Sequence, residues 1–245
     1  MHNHRLFLNQ RIHLNKELKI NQKKTHYLKH VLRLKKEEKI TIFNGTGCEF
    51  IALIIQIKRS EITLKPVKKI YRNVESPLYI HLAQGISRND RMDFVVQKST
   101  ELGIKRITPL LTEFSFVKLN AETFRKKKEH WEKISQSACE QCGRNEIPLI
   151  ENPITMKSFF NNISNENSLL MLEPDSKRTL EKTEKPKKGI NLLIGPEGGF
   201  SKKEIQSARE FGFIGISLGP RILRTETASL AAISIIQAEW GDFKT

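Results

Sequence analysis

Apolar and polar positions along the chain fall into two rhythms. Up to about residue 72 the apolar runs are short and broken by turn residues. "KITIF" (39–43) and "CEFIALIIQI" (48–57) flank "NGTG", in which Asn44-Gly45 tolerates the positive φ that a hairpin turn demands. "SEITLKPV" (60–67) predicts a further strand. In "THYLKHVLRL" the apolar Tyr27, Leu28, Val31, Leu32 and Leu34 recur at roughly helical spacing and predict one short helix. Several short strands around a turn signal predict a barrel-like, β-rich domain over residues 1–72. The stretch "KKIYRNVESP", ending at Pro77, reads as a linker.

From Leu78 onward the rhythm lengthens. "LYIHLAQGI" predicts a strand, and "NDRMDFVVQKSTELG" a helix closed by Gly103. "RITPLLT" is a strand, and "AETFRKKKEHWEKISQSACEQC" a long helix ending at Gly143. "SLLMLEP" and "INLLIG" are apolar without clean alternation, as strands buried on both faces are. Then come the helix "KKEIQSAREF" with Gly212 after it, the strand "GISLG" and the closing helix "TETASLAAISIIQAEW". Strands alternating with helices predict a parallel α/β sheet covered on both sides over residues 73–245. The polar "KRTLEKTEKPKKG" reads as an exposed loop.

Charge sharpens this division. The net charge is +15, and residues 1–72 hold 17 Lys/Arg against 5 Asp/Glu. A basic segment of this density favours a polyanion, because each neutralised phosphate releases condensed counterions. Apolar stretches such as "FIALII" and "SLAAISII" fall short of the roughly 20 residues a membrane span needs, so no membrane partner is expected. The start "MHNHRLFLNQ" has no apolar secretory core, and Cys48, Cys139 and Cys142 do not make a disulfide framework; a cytoplasmic protein is expected. One C-x-x-C without a second pair is weak evidence for zinc. Cys139 and Cys142 therefore read as structural, and no metal is expected.

Two loops carry the candidate chemistry. In "NLLIGPEGGFSKKEI", Ser201 and Glu204 fit a capping box, which sets a glycine-rich loop between the carboxyl end of a strand and the amino end of a helix. Open α/β sheets bind ligands at that edge. The spacing is neither G-x-G-x-x-G nor a P-loop. "SLGPRILRTETASLAA" repeats the device one unit later, with Gly219-Pro220 and a polar run opening a helix near Thr225. Arg221, Arg224, Glu226 and Thr227 are poor core residues and good hydrogen-bonding groups there.

Together "LLIGPEGGF" and "LGPRILRTETA" closely resemble the signature of SPOUT-class RNA methyltransferases, and specifically the bacterial 16S rRNA uracil-N3-methyltransferases, the RsmE family. The likeness covers nearly the whole chain. "HVLRL" and "FNGTG" resemble that family's PUA-like RNA-binding barrel, "DRMDFVVQKSTELGI" its first catalytic-domain helix and "ACEQCGRN" its central helix. Arg88 stands where the family's lysine is expected, and the charge is kept.

The resemblance implies a PUA-like β-barrel (1–72), a SPOUT α/β domain (73–245) with a C-terminal trefoil knot, a homodimer, and S-adenosylmethionine as methyl donor to 16S rRNA within the small ribosomal subunit. It places the cofactor among Leu172, Glu173, Gly195, Pro196, Glu197, Gly198, Gly199, Leu218, Gly219, Leu223, Thr225 and Ala228. Uridine N3 carries a proton near neutral pH, so transfer to it needs charge stabilisation and a proton acceptor or orienting group. Arg224 is assigned to the first role and Glu226 to the second; an ion pair bracing the loop is the competing role for each. Arg5, Lys29, Arg33, Arg88 and Arg144 are the expected RNA contacts, with Gln141 and Asn145 as substrate or interface groups. His130 and Trp131 read as surface and packing residues. Two alternatives stay open: an enzyme of this class acting on another rRNA or tRNA position, and a non-catalytic RNA-binding ribosome-assembly protein.

Overall fold

The computed structural model describes residues 4–20, 22–115, 121–164 and 166–244. The chain divides into two compact units, Met1–Glu75 with Cys139–Ile147, and Ser76–Ala138 with Pro148–Thr245.

The first unit is built on β1 (Arg5–Phe7), β2 (Leu18–Ile20), α1 (Gln22–His26), β3 (Lys39–Phe43), β4 (Glu49–Ile57) and β5 (Ile62–Ile70). These strands form one sheet in the order β1-β3-β4-β5-β2, with β1 parallel to β3 and the other pairs antiparallel. Gly45 and Gly47 take φ of 83° and 78° in the turn from β3 to β4, the conformation its Asn-Gly signal demands. Register shifts in the β4–β5 pair, at Ile51/Ala52 and Ile54/Gln56, bend and twist the strands so that the sheet curls over its core. That core includes Leu6, Ile20, Leu28, Ile42, Phe50, Ile54 and Leu64. The single short helix expected from "THYLKHVLRL" is α1 followed by a π-helical turn, Tyr27–Val31. β5 runs on to Ile70, into the stretch read as a linker. Three residues each, β1 and β2 are too short to show a period in the sequence.

The second unit contains β6 (Tyr79–Gly85), α2 (Asn89–Glu101), β7 (Arg106–Leu111), most of α3 (Ala121–Cys142), β8 (Leu149–Ile150), β9 (Ile154–Thr155), α4 (Met156–Asn162), β10 (Ser168–Leu172), β11 (Gly189–Ile194), α5 (Lys202–Phe211), β12 (Ile214–Ile216) and α6 (Thr225–Trp240). Its strands run in the order β12-β10-β11-β6-β7-β8, with β9 also on β7, and every pair is parallel. Neighbouring residues of one strand feed two cores, which explains the missing alternation. Leu82 and Leu192 join Met92, Val95 and Val96 of α2, Trp131 of α3 and Ile233 and Ile236 of α6. Ala83 and Leu193 join Met156, Phe159 and Phe160 of α4 and Ala208 of α5. Each fully buried aliphatic side chain contributes about 1.5–3 kcal/mol. The stretch read as an exposed loop, 177–189, is pinned to the first of these cores by Leu180, in a turn of 3-10 helix. No described helix is long and apolar enough to cross a membrane.

Candidate active site

The second unit's strands β6, β10, β11 and β12 end together at one sheet edge, and both glycine-bearing loops leave from it. The capping box is present: Glu204 N–H donates to Ser201 Oγ, and Ser201 N–H donates to Glu204 Oε2 at 2.8 Å. It starts α5 directly after the loop Gly195–Phe200. Gly199, at φ 70°, closes that loop by donating its N–H to Pro196 O at 2.9 Å. The loop sits so close to β6 that a Cβ on Gly85 would lie 2.9 Å from the Gly195 carbonyl carbon and nearer still to Pro196. Glycine is required at 85 by backbone approach.

The two loops are tied together from below by buried side chains. Gln84 Nε2 donates to Gly195 O (3.2 Å) and to Thr225 Oγ1 (3.0 Å). Thr225 Oγ1 donates to Gly195 O at 2.6 Å, and Ser229 Oγ donates to Gln84 Oε1 at 2.7 Å. Gln84 and Ser229 are site residues that the sequence reading did not single out. The available signal was a polar amide, Gln84, inside the largely apolar "LYIHLAQGI".

Between β10, β12 and the start of α6 opens a small hollow of about 50 Å³. It is lined by Leu172, Glu173, Leu218, Gly219, Leu223 and Ala228, six of the twelve positions implied for a cofactor, and also by Pro174, Ile216, Ser217 and Arg221. Gly195 and Thr225 lie in the hydrogen-bonded floor just described, while Pro196, Glu197, Gly198 and Gly199 form the neighbouring loop rather than the wall of the hollow. A Cβ on Gly199 or on Gly219 (φ 97°) would meet no atom within 4 Å, so both backbones border open space. Glu173 Oε1 accepts from Arg209 Nη2 at 2.6 Å, and its Oε2 is buried without a hydrogen-bond partner among the described residues.

At the glycine loop, Arg91 of α2 lies 3.4 Å from Glu197 Oε1 and 3.9 Å from Glu226 Oε1. The Arg88 backbone N–H donates to the same Glu197 oxygen at 3.0 Å. Glu197 Oε2 and Glu226 Oε2 are both buried without a partner among the described residues. Glu226 therefore pairs with Arg91, a residue the sequence did not flag, and Arg224 is the exposed N-cap of α6.

Other expected residues fall elsewhere. In the first unit, Arg5 is turned inward, with a side chain only 9% exposed. It pairs with Glu49, donates from Nη2 to Arg144 O and Asn145 Oδ1 (3.0 and 2.8 Å), and stacks 4.8 Å over Phe43. Arg144 is 3% exposed and donates to one oxygen of Glu75, Oε2, from both Nε (3.0 Å) and Nη2 (2.5 Å). Both residues expected to contact RNA are here held by buried carboxylates, and Asn145, donating to Arg72 O, belongs to the same brace. Lys29 Nζ donates to Lys58 O at 3.3 Å, and Arg33 is exposed at φ 53°. The Cys139 thiol is pushed up by its hydrogen bond with Cys142 and by burial, which suits packing rather than metal or redox work. Among the described residues no His, Cys, Asp and Glu cluster is arranged to hold a metal. Asp93 accepts from Trp131 Nε1 (3.1 Å) and lies 2.7 Å from His130 Nε2, so that pair fastens α3 to α2.

A parallel sheet with glycine loops and a hollow at its carboxyl edge, joined to a curled basic sheet, is the architecture of RNA-modifying methyltransferases. Residues 74–237 match the RNA methyltransferase domain family and residues 20–67 the RNA methyltransferase PUA domain family. Across 97% of its length, and 97% of the relative's, the chain is 42% identical to the ribosomal RNA small subunit methyltransferase E of Buchnera aphidicola from Schizaphis graminum. The chain belongs to the ribosomal RNA small subunit methyltransferase E family. The crystal structure of such an enzyme from Neisseria gonorrhoeae, bound to S-adenosylmethionine, superposes with a TM-score of 0.92 at 36% identity, covering 99% of this chain and all of that one. A methyltransferase from Legionella pneumophila in complex with the same cofactor gives 0.95 at 40%, again covering 99% and 100%.

Proposed function

We propose that this chain transfers a methyl group from S-adenosylmethionine to N3 of a uridine in 16S rRNA of the small ribosomal subunit. Residues 1–72 bind RNA through a PUA-like barrel, and residues 73–245 carry the chemistry. The observation that carries this reading is the meeting, at one edge of a parallel sheet, of an apolar hollow and a carboxylate with a buried, unpartnered oxygen.

The residues present fit the cofactor. Leu172, Leu218, Leu223 and Ala228 offer apolar walls to a flat base, and Glu173 Oε2 offers an acceptor to a hydroxyl. Gly199 and Gly219 leave backbone open to a ligand, with Gly195, Pro196, Glu197, Gly198 and Thr225 setting the shape of that edge. When bound, S-adenosylmethionine supplies an electrophilic methyl group on a sulfonium. This chain's own part is positioning, proton acceptance and charge stabilisation. Glu226 Oε2 accepts the N3 proton, and the exposed Arg224 at the amino end of α6 offsets negative charge developing on the uracil oxygens. Arg88, Lys29 and Arg33 meet phosphates.

We also read residues 217–224 as the threaded part of a trefoil knot. Ser217 N–H donates to Arg178 O at 2.9 Å, and Thr225 Oγ1 binds Gly195 O, so this segment is tied to two different loops. A homodimer is supported by Phe94 of α2 and Ile235 of α6, 43% and 39% exposed on two helices that pack together.

The test is transfer of labelled methyl to small ribosomal subunits from a strain lacking this protein, followed by digestion to nucleosides. 3-Methyluridine is expected. Cofactor binding without transfer to subunits, naked rRNA or tRNA would overturn the reading in favour of a binding protein.

A further inference from the structure

Three residues far apart in sequence converge at the glycine loop: Arg91 on α2, Glu197 in the loop itself and Glu226 in the first turn of α6. Their side chains are 39%, 13% and 17% exposed, so the guanidinium stands at the mouth and the carboxylates behind it. Two carboxylates this close to one cation repel each other, and Arg91 is what makes their approach tolerable.

A simple brace would use all the acceptors it buries. Here each carboxylate spends only Oε1 on Arg91, and Glu197 Oε1 takes the Arg88 amide as well. Each Oε2 is buried without a partner among the described residues. A buried acceptor left unsatisfied keeps the cost of its lost hydration, which a purely structural contact has no reason to carry twice. The unused oxygens are acceptors held in readiness for N–H or O–H donors of a ligand.

We infer that Arg91 is the positioning residue of this site, one guanidinium that sets Glu197 and Glu226 so that each presents its second oxygen to the substrate. This rests on the proposed methyl transfer to uridine N3 and adds a specificity to it. An acceptor fixed at Glu226 takes the N3–H of uridine and meets only a lone pair at N3 of cytidine, so the pocket rejects the wrong pyrimidine by leaving polar groups unpaired. In the step itself the N3 proton passes to Glu226 Oε2, the N3 electron pair forms the new N–C bond, and the S–C bond electrons leave with the thioether product.

The experiment is a double-mutant cycle on the full-length protein with Arg91→Gln, Arg91→Lys, Glu226→Gln and the Arg91→Gln/Glu226→Gln pair. It reads kcat and KM for methyl transfer to small subunits, and cofactor Kd by calorimetry. Each single loss is expected to lower kcat by about 10²-fold, the scale of one positioned acid–base group. The pair should be no slower than the worse single variant, Arg91→Lys should recover part of the loss, and cofactor Kd should hold within about threefold of wild type (~0.7 kcal/mol). Multiplicative losses, or a cofactor Kd that weakens in step with kcat, would show Arg91 to be a loop brace and overturn the inference. Full activity of Glu226→Gln would instead remove Glu226 from the chemistry and, with it, the function proposed for this residue. Should Arg91→Gln not fold, the cycle is closed instead with Arg91→Lys and the Arg91→Lys/Glu226→Gln pair, read by the same criteria.

Discussion

Gly85→Ala asks whether the glycine loop is held where it is by contact with β6. A Cβ at 85 would stand 2.9 Å from the Gly195 carbonyl carbon, against 3.4 Å or more for ordinary contact, and closer to Pro196. The loop must therefore retreat by at least about 0.5 Å. The nearest atoms are backbone and the closed ring of Pro196, so no side-chain rotation relieves the clash. Retreat strains the two hydrogen bonds on Gly195 O, from Gln84 Nε2 and Thr225 Oγ1, each worth about 1 kcal/mol net. That sum of about 2 kcal/mol agrees with the roughly 1–3 kcal/mol typical of overpacking. At this chain length it corresponds to about 4–8 °C in melting temperature. If the loop borders the cofactor, affinity for S-adenosylmethionine should fall at least about tenfold, since 1.4 kcal/mol is a decade. Differential scanning fluorimetry and calorimetry read the two effects separately. Unchanged melting would refute the packing argument; lowered melting with unchanged affinity would refute the place given to the loop.

Two further outcomes are expected. His81 is buried against Thr108 Oγ1 (2.7 Å) and Asn191 Oδ1 (3.2 Å), and burial, with Arg106 close by, lowers its pKa to about 3. Unfolding exposes a histidine that takes up a proton near 6.5, so stability is full above that pH and falls as pH drops toward 3, by about 2 kcal/mol at pH 5; urea unfolding at pH 7.5 and 5 should show this loss, and His81→Gln should lack it. Glu75→Gln leaves the buried Arg144 guanidinium without its counter-charge and should cost the first unit about 3 kcal/mol, read as an earlier denaturant midpoint; an unchanged midpoint would mean the pair contributes nothing.

Local chemistry wrote much of this protein plainly. Asn44-Gly45 demands its turn, Ser201 and Glu204 demand the start of α5, and Gly103, Gly143 and Gly212, all at positive φ, close three helices, because these effects reach only a few residues along the chain. The apolar runs without alternation foretold strands buried on both faces, and the two glycine-bearing loops do leave the sheet from one edge. What depends on partners distant in sequence was not readable there. Arg5 and Arg144 look like surface cations until Glu49 and Glu75 are brought against them, and Arg91 looks like any helix-surface arginine until the fold sets Glu197 and Glu226 at its tip. Gln84, Thr225 and Ser229 likewise acquire their role only when β6 and α6 meet beneath the loop. Composition and spacing determine which elements form and where their ends fall. Which charges face RNA, and which face each other, is decided by the long-range packing that takes some of them out of water.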